Sequence, residues 1–600
     1  MMRPSKSKRK ARIATANQTT DVAILGVDVG GTFTDAVLVE KGRIRTAKVP
    51  TAARQEESVL AAAREVGVGD GLTRFAHGTT VATNALLERR GARTAYVGND
   101  GFEHLLHMRR QTRAHLYRLC AEHSEPLVPL ERCHGIPGRL GPDRELEPLS
   151  LDSLPDLGEA EAVAVCLLFA FRDSSHEQAV AEELRRRHPG VHVVASHEVA
   201  PEFREYERAS TTAADAYLAP VAARYLEALA AAAAEAGLPE PVVMLSSGGV
   251  AAVAQAAAHP ARLLVSGPAG GVVGAGLLAR RAGFENAIAF DMGGTSSDVC
   301  LLPGGLAPRV SEREVGGLPI RLPSVDVHTV GAGGGSLVRR DAGGALRVGP
   351  ESAGANPGPA CYGRGGGATV TDANLLLGRL PDELPGGLVL DRDAAAAALD
   401  GVDPAAVVEV VNAEMLRALR VVSVERGHDP REFALVAYGG AGPLHACALA
   451  EELGAEAVLV PAAAGVLSAL GLAASEERRD RVVSNVRPLA EAGELPNEGE
   501  ADLRYQGQSF ELTVRLGGDL AEGFHRAHEE RYGYADRGRD VELVAVRTAE
   551  VTPGPELALP GGDPQRLSGP ALHELNGSTL WIPPGWVGVR DGASWVVTRK

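Results

Sequence analysis
The chain is predicted to be an α/β protein made of two structurally similar halves, followed by a mixed α+β segment. Three observations carry this. An eight-residue pattern occurs twice, as Asp28-Val-Gly30-Gly31-Thr32-Phe-Thr34-Asp35 and as Asp291-Met-Gly293-Gly294-Thr295-Ser296-Ser-Asp298, with Asp, Gly, Gly, Thr and Asp at identical offsets. A long-range repeat of this kind implies two related units facing one another. Both copies lie between short apolar runs, 22–27 and 36–39 in the first, 287–290 and 299–302 in the second, that read as buried strands around a tight Gly-Gly turn. From about residue 481 the Ala-rich runs give way to turns and short strands, which marks a further C-terminal part. With 600 residues, too many for one hydrophobic core, the division expected is a basic tail over 1–20, an N-terminal domain over 21–200, a second over 201–485 and a C-terminal domain over 486–600.

In chain order, 22–27, 36–39 and 43–49 read as a three-stranded meander whose first turn is the first Gly-Gly motif, and 56–66 as a helix. A strand at 74–76 leads into His77-Gly78-Thr79-Thr80 and a helix beginning near Thr80, where N-capping by Thr79 or Thr80 is the simplest role. The stretch 101–150 is rich in His and Arg. The spacings His104/His107 and Cys120/His123 suit metal ligands on a helix but lack a closed four-ligand pattern, so it reads as a polar surface segment. Thr212-x-x-Asp215 reads as a capping motif for an Ala-rich helix running to about residue 236, stopped by Gly237 and Pro239. A strand at 242–245, a helix opened by Ser266-Gly-Pro-Ala-Gly-Gly, the second motif, a Gly-rich turn His328-Thr-Val-Gly331-Ala-Gly333-Gly334-Gly335-Ser336, a helical segment at 394–426 and a strand at 433–437 entering Gly439-Gly440-Ala-Gly442-Pro443 complete the second half.

The repeated turn has a specific chemical use. Paired glycines let backbone approach a ligand closely, and their N–H groups with the Thr hydroxyl form a concave anion site. An Asp at the end of the incoming strand offers a hard oxygen for Mg²⁺. Two such turns on opposite sides are suited to the β- and γ-phosphates of ATP with the metal between them. This reading makes Gly30, Gly31, Thr32, Thr34, Gly293, Gly294, Thr295 and Ser296 phosphate-binding and Asp28 and Asp291 metal-positioning. The late strand–turn–helix at Gly439, Gly440, Gly442 and Pro443 is placed against adenosine. A single such hairpin would be an ordinary turn, and the pairing of two carries the reading.

Bulk properties bound the alternatives. Apolar content of 45% and charged content of 23% are those of a globular protein. Net charge of −16 argues against nucleic acid or an anionic membrane as partner. No run has the apolar length of a membrane span, and the richest, 458–474, is broken by Pro461. Six scattered cysteines without Cys-x-x-Cys suit a reducing cytoplasm. Lysine occurs only at positions 6, 8, 10, 41, 48 and 600, so phosphate charge is expected to be met by metal, backbone and Arg.

The stretches GVDVGGTFTD, HGTTVATNALLERRGA, EYERASTT, SGPAGGVVGA, FDMGGTSSDV, HTVGAGGGS, NPGPACYG, AYGGAGPLHA and RYQGQSFEL occur in one order from about residue 25 to the C-terminus. In them the chain resembles the hydantoinase A/5-oxoprolinase family. The resemblance implies a duplicated RNase H-like fold of the actin/Hsp70/sugar-kinase kind with an added C-terminal domain. It also implies a cytoplasmic enzyme using ATP and Mg²⁺: a hydrolase that opens a cyclic amide (5-oxoproline, hydantoin or a related lactam) by phosphorylating its carbonyl oxygen, or else the ATP-binding subunit of an acetone- or acetophenone-type carboxylase. A non-catalytic actin-like nucleotide switch is the third reading, opposed by the intact Asp28 and Asp291. No hydantoinase B-like region follows, so a second subunit of that type, in a hetero-oligomer, is expected to complete the enzyme. Asp298 and Asp35 are candidates to orient substrate or water. His77, Thr79, Thr80, Asn84, His328, Gly333, Gly334, Gly335, Ser336 and Arg110 are candidates for the substrate side.

Overall fold
The computed structural model describes residues 22–69, 71–118, 120–384, 387–559 and 564–600. The expected basic tail over 1–20 lies outside them. Five strands of the first half are β1 (Ala23–Val29), β2 (Phe33–Glu40), β3 (Arg43–Pro50), β4 (Leu72–Gly78) and β5 (Val242–Met244); their second-half counterparts are β6 (Ala287–Met292), β7 (Ser297–Leu302), β8 (His328–Val330), β9 (Ala434–Tyr438) and β10 (Val458–Pro461). They stand in the orders β3-β2-β1-β4-β5 and β8-β7-β6-β9-β10. In each set the first three strands form an antiparallel meander and the fourth and fifth run parallel to the first. The central strands are apolar along their length because helices cover both faces.

Helix α1 (Glu205–Glu235) is 31 residues long and nearly all of its first half is buried. It begins seven residues before the expected cap at Thr212. The Thr212 hydroxyl instead donates to the Arg208 carbonyl one turn back (2.7 Å) and Asp215 accepts from the Ala261 N–H (2.8 Å), so both polar groups are satisfied inside the helix. Helices α2 (Gly267–Arg281), α3 (Gly442–Leu453) and α4 (Leu467–Ala474) follow. Helices α2 and α4 cross between the two sheets at backbone contact: a Cβ on Gly471 would lie 1.8 Å from the Gly270 carbonyl oxygen. Helix α4 also presses on β1, where a Cβ on Gly26 would meet the Ala469 carbonyl oxygen at 2.0 Å. This glycine-lined crossing sets the two sheets, and hence the two Gly-Gly turns, at a short distance.

The insertion between β4 and β5 carries its own four-stranded parallel sheet, with Thr94–Asn99 and Ala162–Val165 at its centre. The first half therefore closes at β5, beyond the boundary expected at residue 200. Most C-terminal strands join one of the two main sheets, while Ala571–Leu575 and Ser578–Ile582 pair with each other in a hairpin of their own. Glu477–Pro488, Glu500–Tyr505, Leu512–Arg515 and Val541–Thr552 extend the first sheet, and Trp586–Asp591 with Ser594–Arg599 extends the second beside β10. A small core around Leu503, Tyr505, Phe524 and Leu543 is local to this region. A buried ion cluster ties it to the first half: Arg547 contacts Glu202 (2.6 Å) and Asp502 (2.7 Å), and Arg321 contacts Glu202 (2.7 Å). Among the described residues no helix is long and apolar enough to cross a membrane.

Candidate active site
The two Gly-Gly turns have the same local geometry. In the first, the Gly30 N–H donates to the Phe33 carbonyl (2.9 Å); in the second, the Gly293 N–H donates to the Ser296 carbonyl (3.1 Å). Register pairs Asp28 with Asp35 and Asp291 with Asp298, so each turn stands on two carboxylates. Gly31, Thr32, Gly294 and Thr295 are exposed, which leaves the turns open to a ligand. Thr34 is buried, its hydroxyl within 3.1 Å of the Thr51 hydroxyl, so it braces the first turn; Ser296 is half-buried at the second.

The carboxylates of the two halves are near enough for Asp28 and Asp35 to act on Asp291. Burial pushes the Asp28 pKa up to about 7, with Asp35 adding to the shift and Lys48 opposing it. Asp291 is pushed up to about 8 by burial, then by Asp298 and by Asp28. Asp35 and Asp298 are raised by burial as well; Lys48 opposes the first shift, while Thr329, Arg313 and His328 oppose the second. Thr329 donates its hydroxyl to Asp298. A nearby positive charge would relieve carboxylates that burial and one another hold protonated; among the described residues no three His, Cys, Asp or Glu side chains converge as a metal cluster.

Asp28 and Asp291 are each wedged against a glycine at the end of the neighbouring parallel strand. A Cβ on Gly78 would lie 2.4 Å from Asp28 Oδ1, and one on Gly439 would lie 2.1 Å from Asp291 Oδ1. Gly439 also has φ +80°, a conformation that favours glycine. The turn predicted to approach adenosine therefore abuts the second carboxylate: Gly440 is exposed beside it, and Gly442 and Pro443 are buried in the first turn of α3.

Gly331 to Ser336 acts on the second turn from outside. The Gly334 and Gly335 N–H groups donate to the carbonyls of Gly293 (3.0 Å) and Gly294 (2.6 Å), Gly333 packs on Gly294, and the Ser336 hydroxyl accepts from Gly333 N–H (2.9 Å). Those N–H groups are spent on fixing the turn. His328, half-buried, lies near Asp298.

Other candidates fall elsewhere. His77 is fully buried on the face of β4 opposite Asp28; its Nε2 lies 2.7 Å from the Tyr225 hydroxyl and burial lowers its pKa to about 4. Thr79 is buried and accepts from the Val81 N–H (3.2 Å), Thr80 stands at the helix start without a capping bond, and Asn84 donates to the Thr80 hydroxyl (3.3 Å). Arg110 lies in the insertion, bidentate to Glu207 at 2.8 and 2.6 Å. In the His/Cys-rich stretch His107 contacts the Val128 carbonyl and His123 the Thr112 carbonyl, so these rings face different partners.

Lys48 is the site residue that composition-level reasoning missed. Its ammonium is 2.6 Å from Asp35 Oδ1, one-third exposed, over the Phe33 ring, and close enough to act on Asp28 and Asp291. The signal was in the meander: a two-residue turn at Lys41-Gly42 sets Glu40 opposite Arg43 and hence Asp35 opposite Lys48.

The comparisons agree with this architecture. Residues 24–188 match the model of the hydantoinase/oxoprolinase N-terminal region and residues 208–481 that of hydantoinase/oxoprolinase. Caprolactamase subunit alpha of Pseudomonas jessenii is 33% identical over 94% of this chain and 97% of its own. The acetone carboxylase beta subunit of Xanthobacter autotrophicus is 31% identical over 76% of this chain and 70% of its own. The crystal structure of ATP-dependent caprolactamase from Pseudomonas jessenii superposes with TM-score 0.83 at 32% identity, over 96% of this chain and 99% of that one. Both halves of the carboxylate pair, and the glycines that hold them, lie inside the matched segments, and the chain belongs to the hydantoinase/oxoprolinase family.

Proposed function
We propose that this chain is the ATP-binding subunit of an ATP-dependent hydrolase that opens a cyclic amide. The observation that carries the reading is the pair Asp28 and Asp291, each at the foot of an open Gly-Gly turn and each wedged against a glycine. The matched strand orders of the two halves support a duplicated, actin-like fold, in which two turns hold one nucleotide between them. A cyclic amide resists water because its carbonyl is resonance-stabilised. Transfer of the γ-phosphoryl of ATP to that oxygen gives an imidate phosphate; water adds to its carbon, the C–N bond of the adduct breaks as the nitrogen takes a proton, and a second water hydrolyses the acyl phosphate so that phosphate leaves with the original carbonyl oxygen. Asp28 and Asp291 would hold Mg²⁺, which neutralises β- and γ-phosphate oxygens when bound. The turn N–H groups and Lys48 stabilise charge on the transferring group. Asp298, held by Thr329, or Asp35, held by Lys48, orients the substrate or water. The subunit names of the relatives support a second, hydantoinase B-like chain as partner.

The acetone carboxylase relative supports a second reading, in which the same site activates a ketone or bicarbonate. One experiment separates the two. In the reconstituted complex, a lactam or hydantoin carrying ¹⁸O at its carbonyl should deliver the label to inorganic phosphate. ATP turnover that instead needs a ketone together with bicarbonate refutes the hydrolase reading and leaves the nucleotide site standing.

A further inference from the structure
A cavity of about 610 Å³ opens where the insertion, the first half, a second-half loop at Leu322-Pro323 and the C-terminal strands meet. The strands Val250–Ala252 and Glu477–Pro488 pair only at Val250 and Glu477 and then part, which makes the room. One wall holds Ser246 and Ser247, from the turn that follows β5. Since β5 runs parallel to β4 and β4 to β1, this turn stands at the same edge of the sheet as the first Gly-Gly turn. That carboxyl edge is where open α/β sheets take ligands. None of the lining residues belongs to either Gly-Gly turn.

The charged groups around the cavity are unevenly spent. Of its carboxylates, Glu202 sits in the buried ion cluster, Glu198 contacts Arg185 (3.2 Å) and Asp480 contacts Arg478 (2.8 Å). The guanidinium groups of Arg262, Arg479 and Arg481 have no ion-pair or hydrogen-bond partner among the described residues, and Glu550, paired in register with Arg479, is the one lining carboxylate in the same state. The Ser246 N–H and hydroxyl both donate to the Arg262 carbonyl (2.7 and 2.8 Å), which fixes Arg262 to the turn. His259 has its Nδ1 3.3 Å from Asp215 Oδ2 and no partner for Nε2 among the described residues. Ser247 is 3% exposed and its hydroxyl has no partner either.

We propose that this cavity binds a small dianion, either a phosphate or a dicarboxylate. Three unpaired guanidinium groups against one carboxylate leave it two positive charges, in a chain whose net charge is −16. Arg262 donates to the anionic oxygens as a fork, the Ser247 hydroxyl and His259 Nε2 add donors, and Arg479 and Arg481 close the rim. The Ser246 and Ser247 carbonyls accept from the Val325 N–H (2.7 Å) and Arg309 Nε (2.7 Å) of the second half, so a ligand on this turn also braces the two halves.

The test is calorimetric titration of the full chain with inorganic phosphate, malonate and acetate at fixed ionic strength. The chain is first saturated with Mg²⁺ and a non-hydrolysable ATP analogue, so that the nucleotide turns are filled. Phosphate or malonate should bind saturably and raise Tm, and the tighter of the two tells a phosphoryl from a carboxylate ligand. Acetate, with a single charge, should bind at least tenfold more weakly. Arg262→Met should weaken the dianion about tenfold or more, and Arg479→Met, on an exposed strand position, should weaken it by a smaller factor without unfolding the chain. Nucleotide affinity should stay unchanged in both. Arg417→Met, at an exposed arginine outside the cavity, should change nothing. No saturable binding of either dianion, acetate binding as tightly as malonate, or affinity unchanged in both Arg262→Met and Arg479→Met overturns the assignment.

Discussion

Gly439→Ala tests the wedge on Asp291 most directly. The added methyl would lie 2.1 Å from Asp291 Oδ1 and 2.6 Å from the Met292 carbonyl oxygen. The carboxylate must retreat by about 0.9 Å to reach even 3.0 Å, below which Cβ contacts essentially do not occur. An alanine at φ +80° adds backbone strain of about 1–2 kcal/mol. A displacement near 1 Å in a positioning group costs on the order of 10²-fold in rate. The variant should therefore fold, lose a few degrees of Tm, and lose about 100-fold in ATP turnover. Gly427→Ala is the control, since that glycine has a like φ of +82° and a Cβ there meets nothing within 4 Å. Gly78→Ala separates contact from strain: its Cβ would meet Asp28 Oδ1 at 2.4 Å without a positive φ, so it should lose turnover with less loss of Tm. Steady-state ATP hydrolysis and thermal unfolding are the assays. Turnover within threefold of wild type in Gly439→Ala would refute the placement of Asp291 at the reacting phosphates.

Asp291→Asn should keep the fold and reduce ATP turnover by roughly 10²–10³-fold; wild-type rates would remove Asp291 from the site. Lys48→Met should cut turnover by about tenfold or more and weaken binding of the ATP analogue, with partial recovery in Lys48→Arg; unchanged kinetics would make its pair with Asp35 purely structural. The last prediction concerns pH without metal or nucleotide. Because Asp28 and Asp291 are raised to about 7 and about 8 from 3.8, the folded chain holds more protons than the unfolded one, and stability falls as pH rises through that range. Buried His77 and His445 are shifted down, to about 4 and about 3, and act in the opposite sense only below the ordinary His range. Between pH 6.5 and 8 in EDTA, Tm should therefore fall more steeply for wild type than for Asp291→Asn. Parallel curves would contradict the burial of an ionisable Asp291.

What the sequence by itself determined was the repeat and its local chemistry. Both turns, the strands around them and the Asp at each end follow from Gly pairs between apolar runs, because a tight turn and a buried strand depend on residues within a few positions. Thr212 and Asp215 show where local reading gave out: a capping pattern and a mid-helix pattern use the same residue types, and burial against 259–261 made the choice. The C-terminal strands show the same limit, since no local signal says which sheet edge a strand will join. Only the tertiary structure brought Asp28 near Asp291, brought Lys48 to both, and left room for the carboxylates at Gly78 and Gly439. Those contacts join residues tens to hundreds of positions apart, and the glycine-lined crossing of α2 and α4 decides them by fixing how closely the two sheets approach.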